Sequence, residues 1–504
     1  MPTRHLHISS RAALLGGAAL IALTAGAAAR DLPATAAGAK TLTDFIATYA
    51  GKAAATAPGL VVTPEGTDYA VALDLAALTA PYKDMGFSYD SGVLNFKVFQ
   101  QDDGAWRLEQ NGFTPLSAHA KQTEAQGGGT MDVHMDASGY KNVSVIDPAL
   151  AWIRSGAGSA DKATVNVRGP GVVEDVDLGP LKADAASKAG ADGAVTNMVK
   201  EAIDSVVLHL NVDPKAANPK ASPDAKPVEF TARSTGATVD VGLDGLKPRT
   251  LLDIWAFLVA HPTRPERAAN IAALKNLMTV ALAAQTSVKE NIGAQQLTVQ
   301  APQGPFVFEG VKVAVGGANA GAASRFEEHF STTKISLPPG LVPDMYKDLT
   351  PTSFDIGFKL SGFDLAAAGA EWIADLHLDG DGPPVSKEDS DKVFAKLIGS
   401  GTVVLDIPPS HILAPHLDIA FEGKVTYVNH KPTGAVTVRV RDFDSTVAAL
   451  KGLGPDAEKQ MVPMIAMAKG LAKTDPDGVL TWVGEVGADS IVKVNGLPLG
   501  KSPI

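Results

Sequence analysis

Alternation with a period of two residues governs what this chain can become. Phe354, Ile356, Phe358 and Leu360 are separated by Asp355, Gly357 and Lys359. Met131, Val133 and Met135 likewise alternate with Asp132, His134 and Asp136. Successive side chains on a strand point to opposite faces, so such runs predict sheets with one buried and one wet face.

A second regularity sits on top of the first. Three of the five tryptophans occupy similar stretches: Ile146–Arg154, Leu251–Val259 and Leu365–Ala374. Each follows an alternating run and reads as a short Ala/Leu helix carrying Trp152, Trp255 or Trp372. Asp444–Leu450 stands where a fourth copy belongs, without the tryptophan. Aligned on this helix, the copies read strand, strand, helix, helix, strand, strand.

The fold class expected is therefore α+β. Mostly antiparallel curved β-sheets are built from these divergent repeats, and helices cover one face or the ends. The division is residues 1–29 as a signal peptide and 30–125 as an N-terminal α+β region holding a partial repeat. Repeat 1 (126–213), a Pro-rich loop (214–228), repeat 2 (229–320), repeat 3 (321–423) and repeat 4 (424–504) follow. In repeat 1, Ile146–Arg154 and about 194–204 are expected as helices. In repeat 3, Ile335–Leu337 is expected as a strand. In repeat 2, Thr263 caps a long helix with Pro265 near its first turn. Near the end, Asn495-Gly496 supplies a tight hairpin turn.

The N-terminus sets the compartment. Arg4 and Arg11 precede an uncharged Ala/Leu/Gly run from Ala12 to Ala29, which ends in small residues. That is the layout of a cleavable export signal, with cleavage after Ala29 or Ala27. The competing reading keeps the run as a membrane anchor. No later run is long enough to cross a bilayer, so a periplasmic or secreted protein is expected, without a transmembrane span once the signal is cleaved. The chain has no cysteine, which excludes disulfides, thiolate nucleophiles and Cys-ligated metals. Its formal charge of -11 argues against nucleic acid as a partner.

Motifs that carry chemistry are sparse. Asp375, His377, Asp379 and Asp381 place ligands at alternate positions, with Gly380 at the sharp turn, and resemble the first half of a calcium loop. Ser386, though, stands where the closing Glu belongs, so an acidic turn is the plainer reading. Ser331-Thr332-Thr333-Lys334 matches a bare Ser-x-x-Lys pattern without its companion motifs. Acids at strand-to-helix junctions, Asp244, Asp364 and Asp444, read as helix caps. The tryptophans read as core wedges between helix and sheet. The alternative is a ligand groove lined by Trp152, Trp255 and Trp372. Met461, Met464 and Met467 read as packing residues on one helix face. No cofactor is expected.

Leu243-Asp244, Phe363-Asp364 and Phe443-Asp444 each join a strand to a short Ala/Leu helix, and the chain closes on Asn495-Gly496-x-Pro-Leu. In these features the C-terminal half resembles uncharacterised secreted envelope families of proteobacteria, YdgA-like or related domains of unknown function, which are loosely similar to AsmA-type proteins. The resemblance implies export and a β-rich scaffold, and it brings no catalytic residue. The function expected is a non-enzymatic exported protein that binds a lipid or other apolar envelope component, or that scaffolds envelope assembly with an envelope protein as partner. One alternative is an envelope hydrolase using paired carboxylates. Another is a structural or adhesive surface protein.

Overall fold

The computed structural model describes residues 29–51, 59–80, 86–121, 128–217, 222, 224–380, 382–399, 402–428, 431–451, 464–487 and 489–501. The chain is α+β and mostly antiparallel, curved β-sheet. It forms two compact units: one runs to Ala284 and includes Ile373–Ser386, and the other comprises Gln285–Trp372 and the chain from Lys387 on.

The first unit is a meander of long strands that are each interrupted once. Thr130–Ser138 continues as Lys141–Asp147, Trp152–Ala160 as Lys162–Gly169, and Val172–Leu178 as Leu181–Ala189. Val195–Ile203 continues as Val206–Val212, and Val228–Ser234 as Gly236–Leu246. The interruptions line up from strand to strand, so pairing on either side of them makes two leaves. In one leaf, Trp106–Asn111, Lys141–Asp147, Trp152–Ala160, Leu181–Ala189, Val195–Ile203 and Gly236–Leu246 are neighbours in that order. In the other, the order is Phe87–Ser91, Leu116–Lys121, Thr130–Ser138, Lys162–Gly169, Val172–Leu178, Val206–Val212 and Val228–Ser234.

Hydrogen bonds stitch the fold line itself. Asp161 N–H donates to Ser138 O at 2.9 Å, and Gly179 N–H to Ser205 O at 2.8 Å. Tyr140, Ala160, Leu181, Ala183 and Ile203 are buried together at this line and form its core. Val165, Val167 and Val176 extend the core into the second leaf. Gly139 sits on the line with φ 62, a conformation that costs side-chain-bearing residues energy. A Cβ there would lie 2.1 Å from Asp161 Oδ2. Gly139→Ala is expected to lower stability by about 1–3 kcal/mol, read as a fall in the thermal midpoint.

Helix Ala36–Ala50 closes one end of the first leaf. Thr35 caps it by accepting from Gly38 N–H. Ala39 and Leu42 of this helix are buried against Leu60, Tyr69, Val71 and Val98. Farther along, Thr263 caps as expected and forms a reciprocal capping box with Glu266, with Pro265 in the first turn, but the long helix expected there is two, Arg264–Ala269 and Ile271–Leu282, broken at Asn270.

The second unit is also an antiparallel meander. Ser287–Ala301, Gly304–Ala318, Ser324–Thr333, Ser353–Phe363, Thr402–Ala414, Leu417–Val428, Lys431–Arg441, Leu480–Val486, Ile491–Val494 and Leu497–Lys501 pair in sequence order. Helices Leu365–Asp375, Lys387–Ile398 and Phe443–Lys451 lie in its connections. Asn495 and Gly496 both have positive φ, 51° and 85°, as a tight two-residue hairpin requires.

Four sequence expectations need correction. Ile146–Arg154 is not a helix: strand Lys141–Asp147 turns at residues 148–151 into strand Trp152–Ala160. Pro148 disfavours helix at the residue before it, and Val143, Val145, Ile146 and Ile153 favour strand, so sheet pairing overrides the Ala/Leu propensity. The helix expected near 194–204 is strand Val195–Ile203, where Val195 and Asn197 are buried and Thr196 and Met198 face out. Ile335–Leu337 holds only a single bridge, between Ser336 and Val307. Leu417–Val428 is one continuous strand, so the boundary set between repeats 3 and 4 falls inside it.

Candidate apolar binding face

Period-two patterning gives the second unit two chemically different faces. Register places Val311, Val313 and Val315 beside Phe326 and Phe330, and those beside Phe354, Ile356, Phe358 and Leu360. Ile412 follows, then Ile419 and Phe421, then Val438 and Val440, then Trp482 and Leu480. One face is thus apolar across seven neighbouring strands. Phe326 and Phe358 stack at 5.8 Å between centroids, and Phe330 and Phe354 at 5.3 Å. Glu290 and Glu328 are its acidic interruptions, in the row of Val315.

The opposite face is charged. It carries Arg439 paired with Glu422 at 2.8 Å and His411 paired with Asp418 at 2.5 Å. His329 is bonded to Asp355 on the same side. The middle of the apolar face is open, whereas its last two strands are covered: Val440 and Leu480 are buried, and the Trp482 ring lies 5.8 Å from that of Phe443. Phe358 is 37% exposed and Val288 40%, while Phe326, Phe330, Phe354, Ile356 and Phe421 are half-buried. A half-covered apolar surface this long is the kind that marks a site for an apolar partner.

The tryptophans separate from one another. Trp152 opens a strand and is half-buried, with a buried Nε1 that has no partner. Trp255 lies on helix Pro248–Ala260 and is 54% exposed, its Nε1 donating to Tyr49 O at 2.7 Å. Trp372 lies on helix Leu365–Asp375 and is also exposed. The core-wedge reading is therefore wrong for Trp255 and Trp372, because their helices present these rings outward. Trp152 and Trp255 belong to the first unit and Trp372 to the second. Met464 and Met467 are exposed as well, against the packing expected of them. Met461 lies outside the described residues.

Among the acids at helix entries, Asp364 is a true cap, accepting from Ala367 N–H at 2.9 Å. Asp244 lies inside strand Gly236–Leu246 and accepts from Thr196 Oγ1 at 2.5 Å. Asp444 stands within the first turn of its helix and pairs with Lys469 at 2.5 Å. For the acidic turn, His377 Nδ1 lies 2.9 Å from Asp375 O, and Asp375 Oδ2 is buried without a partner. Asp379 is exposed, and Asp381 lies outside the described residues. Among the described residues, no group of three or more metal-binding side chains is placed to hold an ion.

Sequence reading missed two carboxyls in the first unit. Glu174 is 2% exposed, and burial pushes its pKa up. Its cross-strand neighbours are Val167 and Leu210. Glu201 stands between Ala183 and Val239 with a buried, partnerless Oε1, and burial pushes its pKa up to about 7. The two acids sit on different leaves, and neither is a cross-strand neighbour of the other. Alternation along Val195–Ile203 would have found Glu201 had that stretch been read as a strand.

No family model, no curated protein and no solved structure matches this chain. No helix among the described residues is long and apolar enough to cross a membrane.

Proposed function

We propose that this chain is a non-enzymatic protein of the cell envelope that binds a lipid or another apolar envelope component along the apolar face of its second unit. The observation that carries this reading is the half-exposed row of Val, Phe and Ile side chains on the five neighbouring strands from Gly304–Ala318 to Leu417–Val428. An acyl chain laid there replaces water against several side chains at once, and each large one covered contributes about 1.5–3 kcal/mol. The apolar run from Ala12 to Ala29 supports export to a periplasmic or secreted location. The resemblance to secreted envelope families points the same way.

The test is extraction. Protein purified from its native envelope is expected to carry lipid detectable by mass spectrometry. The double variant Phe330→Asp/Phe358→Asp is expected to retain its far-UV spectrum and lose at least about tenfold in lipid affinity. A wild-type protein that carries no lipid, and gains no thermal stability from lipids, sinks the reading.

The hydrolase reading rests on one observation, the raised carboxyl of Glu201 near neutrality, which is where a general acid works best. A Glu201→Gln variant that abolishes a measured envelope-polymer hydrolysis would favour it.

A further inference from the structure

The outer face of the first leaf carries a feature that the apolar-face reading does not use. Lys141 and Lys182 are both direct cross-strand partners of Ser159. The row Lys141–Ser159–Lys182 therefore runs straight across three adjacent strands. The two lysines stand two strand spacings apart, about 10 Å at the backbone. Side chains of that length are long enough to reach over Ser159 toward one small anion. All three residues line a depression of about 350 Å³, with the small Ala157 on the same face of the middle strand.

The chain carries a formal charge of -11. Yet neither Lys141 nor Lys182 forms an ion pair among the described residues, whereas Lys162, Arg154 and Arg168 of the same unit are paired with Asp177, Asp103 and Asp175. The lining holds two lysines and one acid, Asp184, so its own charge is positive.

We infer that Lys141, Ser159 and Lys182 form a binding site for a phosphate group. Two ammoniums supply compact point charges, and the serine hydroxyl donates a third hydrogen bond. Three such donors suit a tetrahedral phosphate group, whose oxygens point in different directions, better than a planar carboxylate. The group has two natural sources, a free phosphate and a phospholipid headgroup, and they share this chemistry.

The test has two arms on the full chain. Inorganic phosphate is titrated while the thermal midpoint and lysine ammonium resonances are followed. Flotation with phosphatidylglycerol vesicles is compared with flotation on phosphatidylcholine vesicles. Saturable binding in the first arm alone assigns free phosphate. Selective flotation assigns the headgroup. In whichever arm binds, Lys141→Gln/Lys182→Gln is expected to weaken binding at least about tenfold, with Ser159→Ala costing less. These side chains are surface groups, and an unchanged far-UV spectrum of the variants confirms the fold. Binding in neither arm, or a double variant that binds as tightly as the wild type, overturns the inference. Because these residues lie off the apolar face, its aspartate variants keep phosphate binding, and failure of one site is distinguishable from failure of the other.

Discussion

Tyr69→Ala is expected to destabilise the chain by about 3–5 kcal/mol, the range for removing a large buried aromatic. Tyr69 has no solvent exposure, and its ring lies 5.9 Å from that of Trp106. It packs under helix Ala36–Ala50 among Leu42, Leu60 and Val71. Its hydroxyl accepts from Thr35 N–H at 3.2 Å, so it holds the helix start as well as the core beneath it. The close approach demands a small residue above it: a Cβ on Gly38 would fall 2.0 Å from the Tyr69 hydroxyl. The loss is read by chemical denaturation. Tyr69→Phe is expected to lose only the hydrogen-bond share, about 1 kcal/mol. If Tyr69→Ala unfolds at the wild-type midpoint, this helix does not depend on that core.

Glu201 governs the second large effect, through pH. Its carboxyl titrates at about 7 in the folded chain against 4.5 for the ordinary group, because burial disfavours the charge. The folded state therefore holds this proton more tightly than the unfolded one. Stability is undiminished below about pH 4.5, falls as pH rises towards 7, and carries the full penalty above it. The gap corresponds to at most about 3 kcal/mol, and partial solvent access reduces it to about 2 kcal/mol. Glu174 acts in the same direction. Glu201→Gln is expected to melt higher than the wild type at pH 8 and to show a flatter pH profile between 5 and 8. An unchanged slope would mean that the folded chain leaves Glu201 hydrated.

What could be read from residues alone follows a physical divide. Phe354–Leu360, the Thr263 cap and the Asn495-Gly496 turn were legible because each is decided locally, by strand alternation, a side-chain acceptor or backbone φ. Ile146–Arg154 was not, because Ala149-Leu150-Ala151 suits a helix and the strands that claim it are partners distant in sequence. The outward rings of Trp255 and Trp372 were hidden for a related reason: an amphipathic helix declares an apolar stripe, but its neighbours decide which residues are covered. The fold line could not be seen at all. Gly139, Asp161, Gly179-Pro180 and Asp204-Ser205 share no motif, and only the pairing register sets them side by side. Of the apolar face, the Phe354–Leu360 segment was visible, while its continuity needed the register of every neighbouring strand.

That fold line also makes the first unit adjustable in length. Each long strand crosses it once, so a hairpin of two such strands adds a rung to both leaves together. Excising the hairpin Trp152–Ala189 would bring Thr130–Asp147 against Val195–Val212 with strand direction and bend still matched. Removing a single long strand would set two parallel runs side by side and break the match. Gain or loss of whole hairpins is thus a permitted path for chains of this design. It leaves the cross-section constant while the length changes.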